Sequence, residues 1–198
     1  MNKELQNIGD EELFALVSKG DSQAISAFEE IYNRYSSKIY TYIKKILRNS
    51  PASDDIFQET FVRFYECAKN GQKMTNVAGF LIKIARNLCL NEKISKYNQH
   101  LNLDDFIFTI NDKINDKTFE QKEINELINI GLDALPEKYR EVIILKEFLD
   151  MSYQEIAELL NLTLPVVRIR IYRAKNKLRE YLAPFLTETE KNKVGKIK

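Results

Sequence analysis

The sequence predicts an all-α protein: two small helical domains joined by a flexible linker, the second ending in a helix-turn-helix. Three observations carry this. The 198 residues include only six glycines and four prolines, few for a chain built on tight turns. Apolar residues recur at three- and four-residue steps along most of the chain, the period of one helix face. The stretch Leu135 to Leu182 also holds a compact signal for one helix stopping and another starting. Ser152-Tyr153-Gln154-Glu155 is a capping box, in which the serine hydroxyl and the glutamate carboxylate each satisfy an orphan backbone N–H. Ile156, Leu159 and Leu160 continue it as a buried stripe. Asn161 stands where this helix must end, and asparagine tolerates the left-handed conformation found there. Thr163 can cap the next helix, with Pro165 in its first turn, where a missing N–H costs little. A turn of about four residues between two such helices is the spacing of a DNA-binding helix-turn-helix.

The second of these helices separates its faces. Val167, Ile171, Ala174 and Leu178 fall on one side and predict core. Ile169, Tyr172, Arg173 and Asn176 point the opposite way, with Arg168 at the edge. Arg170, Lys175, Lys177 and Arg179 lie nearer the core boundary, within reach of flanking phosphates. A solvated basic helix would also carry cations near its C-terminus. Exposed apolar residues among arginines, however, suit thymine methyls and base edges in a major groove.

The remaining elements follow in order. Glu11 to Lys19 reads as a short helix on Leu13, Leu16 and Val17, and Gly20-Asp21-Ser22 ends it, with Asp21 or Ser22 able to cap the next. Ala24 to Leu47 is a strongly amphipathic helix with Ile25, Phe28, Ile31, Tyr32, Tyr35, Ile39, Tyr42, Ile43 and Ile46 as core. After Asn49-Ser50-Pro51, Ala52 to Ala68 buries Ile56, Phe57, Phe61, Phe64 and Ala68. Asp55, Gln58, Glu59 and Val62 then form an exposed strip. Lys69 to Asn76 is a polar loop. Val77 to Lys96 is a helix on Leu81, Ile84, Ala85 and Leu88. From Tyr97 to about Lys117 the pattern breaks into a net acidic linker, with Leu103, Phe106 and Phe108 as candidate tethers. A helix resumes at Phe119 on Ile124, Leu127, Ile128 and Leu132, and another spans Glu137 to Phe148. The tail 187–198 is basic and predicted to fray.

Formal net charge is +1, which alone does not suggest nucleic acid. It conceals a basic C-terminal helix and an acidic middle. Cys67, Cys89 and His100 are too few and too far apart for a zinc site or disulfide framework. No Walker loop, nucleophile arrangement or metal cluster is present, so no catalytic residue, cofactor or enzyme is expected. No apolar run approaches the roughly 18 residues that span a bilayer. The polar N-terminal stretch lacks a signal-peptide core. Direct membrane insertion is therefore not expected, and a cytoplasmic location is.

The pattern LPEKYREVIIL, SYQEIAELLN and VRIRIYRAKNKLRE resembles the upstream-element-binding domain (region 4) of bacterial RNA polymerase sigma factors. The similarity is greatest to the extracytoplasmic-function (ECF) type of the sigma-70 family. DDIFQETF resembles the region 2.2 signature that docks on the coiled coil of the polymerase's largest subunit. FLIKIARN resembles the promoter-melting segment. Asn161 replaces a usual Gly, Leu164-Pro165-Val166 a usual small residue, Gly and Thr, Phe80 a common Trp, and Asn91 a usual Asp.

The resemblance implies region 2 over 1–96, a linker over 97–117, region 4 over 118–186 and a basic tail at 187–198. It implies core polymerase binding through Asp55, Gln58, Glu59, Phe61 and Val62. Upstream duplex recognition falls to Arg168, Ile169, Arg170, Tyr172, Arg173, Lys175 and Asn176. Melting needs a polar loop for an unstacked base and cations for single-strand phosphates. Lys69, Asn70, Lys73, Asn76, Lys83, Arg86, Asn87, Lys93 and Lys96 are the candidates for contact with the melted non-template strand. Core RNA polymerase, promoter DNA and an anti-sigma protein are the implied partners, though no residue points to the last. Two other readings stay open: a stand-alone helix-turn-helix regulator, and a sigma-like decoy that binds polymerase or an anti-sigma protein without opening promoters.

Overall fold

The structure, a computed structural model, describes residues 5–70, 74–100 and 119–195. The chain forms two compact units, Met1–Ile110 and Asn111–Lys198. Among the described residues every regular element is helical.

Unit 1 holds a short turn at Leu5–Asn7 and then α1 (Asp10–Lys19), α2 (Ala24–Ile46), α3 (Ser53–Lys69) and α4 (Val77–His100). Gly20, at φ 68°, closes α1 in the left-handed conformation that glycine adopts without a Cβ penalty. Asp21 ties the following turn by accepting the Gln23 amide at 2.9 Å, and no side chain caps α2 itself. Leu13, Phe14 and Val17 of α1 pack with Ile31, Ile39, Tyr42 and Ile43 of α2, Phe64 of α3, and Leu81 and Ala85 of α4. Phe64 is central, its ring edge-on to Phe14 at 5.6 Å and tilted against Phe80 at 6.2 Å.

Two expectations for this unit need correction. Ile25 and Tyr32 are exposed, not core. Ala24 and Ala27 hold the buried register at the start of α2, where small side chains let a neighbour approach closely. The helix α4 also continues through His100, four residues past its expected end at Lys96. The linker tethers Leu103, Phe106 and Phe108 lie outside the described residues, as does the acidic run around them.

Unit 2 holds α5 (Phe119–Ala134), α6 (Glu137–Ile143), α7 (Tyr153–Leu160) and α8 (Leu164–Gly195). The expected helix from Glu137 to Phe148 changes pitch midway, α6 passing into a π-helical turn at Ile144–Phe148. Leu132, Leu135, Val142, Ile143, Ile144, Leu145, Ile156, Val167, Ile171 and Ala174 form the core. Gly131 lies where α5 packs closely on α8. A Cβ there would stand 3.1 Å from Leu182 Cδ2 and 3.2 Å from Leu178 Cδ2. Ile124, expected in the stripe of α5, is exposed.

The largest departure is at the C-terminus. The helix does not end with the expected domain at 186 but runs on through the tail to Gly195, with Pro184 inside it. Proline cannot donate to the carbonyl of Glu180. At an exposed position that carbonyl is open to water, so the helix persists.

Candidate nucleic-acid interface and partner face

The helix-turn-helix is built by local chemistry. Glu155 N–H donates to Ser152 Oγ at 3.2 Å, and Ser152 N–H donates to Glu155 Oε2 at 2.7 Å. The Ser152 side chain first, and then the Ser152 backbone N–H, hold the Glu155 carboxyl below its ordinary pKa. Asn161 ends α7 at φ 52°, ψ 49°, and Leu162 N–H turns back to the Ala157 carbonyl at 2.8 Å. Asn161 thus takes the conformation for which glycine is the usual choice.

Ile156 of α7 and Val167, Ile171 and Ala174 of α8 are buried, while Leu178 is half-buried. On the opposite face Ile169 is 50% and Tyr172 67% exposed. Arg168 and Arg173 are exposed beside them, and Arg170 and Asn176 are half-exposed. The flanks of α8 are tied to preceding elements. Lys175 Nζ pairs with Glu147 at 2.9 Å, a contact that raises its pKa. The Arg173 guanidinium lies against the hydroxyl of Tyr139 in α6 and, above all other groups, draws that phenol's pKa down. Asn176 Oδ1 accepts from Arg179 at 3.1 Å. Of the residues expected to read DNA, Ile169, Tyr172, Arg173 and Asn176 therefore face outward with Arg168 at the edge, and Lys175 is held on a flank by Glu147.

In α3, Asp55, Gln58 and Val62 are exposed and Glu59 half-exposed. Glu59 is paired to Arg63 at 2.6 Å one turn on. Of the two adjacent aspartates, Asp54 is engaged inside the unit with Lys44 at 3.2 Å and the Tyr40 hydroxyl at 3.0 Å. Asp55 is the one that faces outward. Phe61 is a correction. It is 4% exposed and packs against Tyr32 at 4.8 Å and Phe57 at 5.3 Å, so it fixes α3 on α2 and offers no surface to a partner.

The nine residues expected to meet the melted strand do not act alike. Lys83 and Asn87 are exposed one turn apart on α4, with Arg86 beside them in the helical register. Arg86 and Lys93 already make contacts within the chain. Lys96 is tied to Ser50 Oγ at 2.5 Å and Glu92 at 3.2 Å. Asn76 caps α4, its Oδ1 accepting the Gly79 N–H at 2.7 Å. A Cβ at Gly79 would lie 2.9 Å from Asn76 Nδ2, so the capping side chain would have to shift. Lys69 sits over the Tyr65 ring at 5.4 Å, and Asn70 is exposed at the end of α3. Lys73 lies outside the described residues.

Known proteins match this arrangement. The family described as Sigma-70 region 2 matches residues 31–96, and that described as Sigma-70, region 4 matches 131–178. The ECF RNA polymerase sigma factor SigE of Mycolicibacterium smegmatis is 27% identical over 173 residues, covering 86% of this chain and 67% of the relative. SigW of Bacillus subtilis, also an ECF sigma factor, is 30% identical over 177 residues, covering 84% of this chain and 92% of the relative. The chain belongs to the ECF RNA polymerase sigma factors. A sigma factor RpoE from Bartonella quintana, solved in complex with the anti-sigma factor NepR, shares the fold. Its TM-score is 0.65 at 19% identity over 79% of this chain and 96% of that one. As a member of its family, this sigma factor binds core RNA polymerase and promoter DNA and directs promoter-specific transcription initiation.

Two arginines that pattern reading missed hold the sigma factor's surfaces in place. Arg140 is 3% exposed and donates to the carbonyls of Leu132 at 2.7 Å, Asp133 at 3.0 Å and Leu135 at 2.7 Å. It closes the C-terminal end of α5, whose last carbonyls have no helical partner. Its signal was present, since Arg140 shares a helical register with Ile143 and Ile144, where an apolar residue is expected. Arg34 joins Asp10 at 2.8 Å, Glu30 at 2.9 Å and the carbonyls of Leu5 and Gln6, fastening the N-terminal turn and α1 to α2. The Tyr35 hydroxyl donates to the same Asp10. Among the described residues no group of His, Cys, Asp or Glu has the numbers to hold a metal, and no helix is long and apolar enough to cross a membrane.

Proposed function

We propose that this sigma factor docks on core RNA polymerase chiefly through the α3 strip of Asp55, Gln58, Glu59 and Val62. The acids there suit arginines on the partner. The outer face of α8, Ile169, Tyr172, Arg173 and Asn176 with Arg168 at its edge, reads the upstream (−35) element in the major groove, with Arg170 and Lys175 toward the groove walls. The region 2 domain, 1–96, then captures unpaired non-template bases of the downstream (−10) element in the loop after α3. Lys69, Asn70, Lys73, Lys83, Arg86, Asn87 and Lys93 bind that strand. The linker, 97–117, connects it to region 4 at 118–186. The chain has no reaction of its own, since the polymerase does the chemistry. It works in the cytoplasm, where polymerase and template are, and an anti-sigma protein is a further partner.

The observation that carries this reading is the exposure of Ile169 and Tyr172 on the outer face of a cationic helix. Apolar side chains at that position gain cover from thymine methyls and base edges. The test is run-off transcription with purified core polymerase, with and without this protein, on fragmented genomic DNA from its source. Discrete new transcripts sharing an upstream and a downstream element are expected. In the same system Asp55→Ala with Glu59→Ala weakens core binding at least tenfold, about 1.4 kcal/mol, and leaves duplex binding unchanged. Normal core affinity in that variant removes the α3 assignment. Tight core binding without transcripts identifies a decoy, and no core binding identifies a stand-alone regulator.

A further inference from the structure

We infer that Val166, at the edge of the outer face of α8, forms with Ile169 a seat for the C5 methyl group of a thymine, and so fixes one thymine of the upstream element. The seat rests on the reading of α8 as a duplex-binding helix, and it adds to that reading one residue and the base it selects. Val166 lies in the stretch where this chain departs from the usual residues of its family, so the contact belongs to this chain.

The outer face of α8 changes chemistry along its length. At about 100° per residue, Pro165, Ile169, Tyr172, Arg173 and Asn176 point away from the buried Val167, Ile171 and Ala174. Val166 stands at the edge of that face, one turn before Ile169. In the first two turns the face is apolar: Pro165 is exposed, Val166 is 37% and Ile169 50% exposed. None of the three has a side-chain donor or acceptor, whereas Tyr172, Arg173 and Asn176 beyond them each have one. The core has no call on Val166, because Val167 fills the buried place beside it. Val166 and Ile169 are both β-branched, and in a helix such side chains keep one strongly preferred rotamer. Their methyl groups are therefore set before DNA arrives, and little freedom remains to be lost on binding.

In the major groove such a surface has one good partner. Guanine, cytosine and adenine present donors and acceptors there, and thymine adds a C5 methyl. Valine or isoleucine set against a donor or acceptor strips water from it and returns no hydrogen bond. Set against a methyl, the same side chains bury apolar area on both sides. Val166 and Ile169 are separated by about 4.5 Å along the helix axis, close to the step of about 3.4 Å between bases of one strand. The two side chains can thus flank a single methyl. A recognition helix meets base edges with its first turns, and the seat lies in those turns. Selection then works in two ways along one helix, by apolar cover at Val166 and Ile169 and by hydrogen bonding at Tyr172, Arg173 and Asn176.

Removing the methyl alone tests the seat. Duplexes are selected from a random pool by the full chain, by itself and with core polymerase. Each thymine of the selected site is then replaced in turn by deoxyuridine, which loses the C5 methyl and keeps every hydrogen-bonding group. At one thymine the exchange is expected to weaken binding about threefold. Val166→Ala is expected to weaken binding to the selected site about threefold, to be indifferent to deoxyuridine at that one position, and to bind a scrambled duplex as the unaltered protein does. Alanine is a strong helix former and position 166 lies outside the core, so the fold is kept. A merely structural role for Val166 would weaken binding to all duplexes alike and leave the deoxyuridine effect in place. Deoxyuridine effects of the same size in Val166→Ala at every thymine overturn the seat, as does a selected site with no methyl-sensitive thymine. Either result leaves α8 a duplex-binding helix. Selection of no duplex, with or without polymerase, overturns that reading and the seat with it.

Discussion

The helices α3 and α8 each leave one face exposed, and the two faces are held by opposite means. In α3 the hold comes from beneath. Phe57 meets Tyr32 at 6.0 Å and Tyr40 at 5.4 Å, and Phe61 lies against Tyr32, so a ladder of rings locks the helix on α2. The outward strip carries little internal restraint beyond the Glu59–Arg63 pair. In α8 the buried stripe is small and aliphatic: Val167, Ile171 and Ala174. Here restraint comes from the flanks, through Tyr139 at Arg173 and Glu147 at Lys175. A face that meets a protein can keep mobile charges that adjust to the partner. A face that meets a groove of fixed width gains from side chains already set at the spacing of the walls.

The comparison extends to what keeps each unit folded, and there the largest effects are expected. Phe64→Ala removes the ring at the centre of unit 1 and costs about 3–5 kcal/mol. Arg140→Ala removes no ring, yet it takes the guanidinium from three carbonyls around the end of α5, of which Leu132 keeps the Leu135 N–H. At about 1–3 kcal/mol for a buried unpaired group, partly relieved by water, the loss approaches that of Phe64. Hydrogen exchange reads the two units separately. Phe64→Ala is expected to open α1 to α4, and Arg140→Ala to open α5 to α8. The sharper contrast is in rescue. Phe64→Leu restores much of unit 1, because volume is what was lost. Arg140→Lys restores little, because one ammonium cannot reproduce a planar fork that serves three carbonyls. Full rescue by lysine would show that charge alone closes α5.

A smaller effect separates capping from DNA contact in unit 1. Asn76→Ala deletes the acceptor for the Gly79 N–H and is expected to cost about 1 kcal/mol of stability. Asn76→Asp retains the cap and adds a favourable charge at the start of α4. If Asn76 acts only as a cap, Asn76→Asp melts promoters normally while Asn76→Ala is merely less stable. A loss of promoter opening in Asn76→Asp, with stability intact, would return Asn76 to the strand-contact group.

How far the sequence led follows the same division. What depends on neighbours in the chain was legible: the capping box, the left-handed Asn161, and the split between Val167–Ile171–Ala174 and Ile169–Tyr172. For Phe61 the apolar spacing indicated burial and the family signature indicated a partner contact, and the spacing was the better guide. What depends on distant residues was not legible. Nothing near Arg173 in sequence points to Tyr139, and nothing near Asp10 points to Arg34 and Tyr35. Small residues misled as well. Ile25 looked like core because Ala24 and Ala27 were not counted as the contact. The tail misled at the C-terminus, where a basic stretch expected to fray continues the helix to Gly195.

The smallest effect expected is also the most local. The Glu155 carboxyl receives the Ser152 N–H while Ser152 Oγ receives the Glu155 N–H, and its pKa is lowered from the model-peptide value of 4.5. A carboxyl whose folded pKa is depressed contributes stability that is complete above the unfolded pKa. That contribution is lost as pH falls through the folded value. The start of α7 is therefore at full strength at neutral pH and loosens only below about pH 4.5. Glu155→Gln retains a hydrogen-bonding group at the same position but has nothing to titrate. Exchange protection of the α7 amides is expected to fall with acid in the unaltered protein, by less than about 1 kcal/mol. In Glu155→Gln it is expected to be lower at neutral pH and flat through the same range.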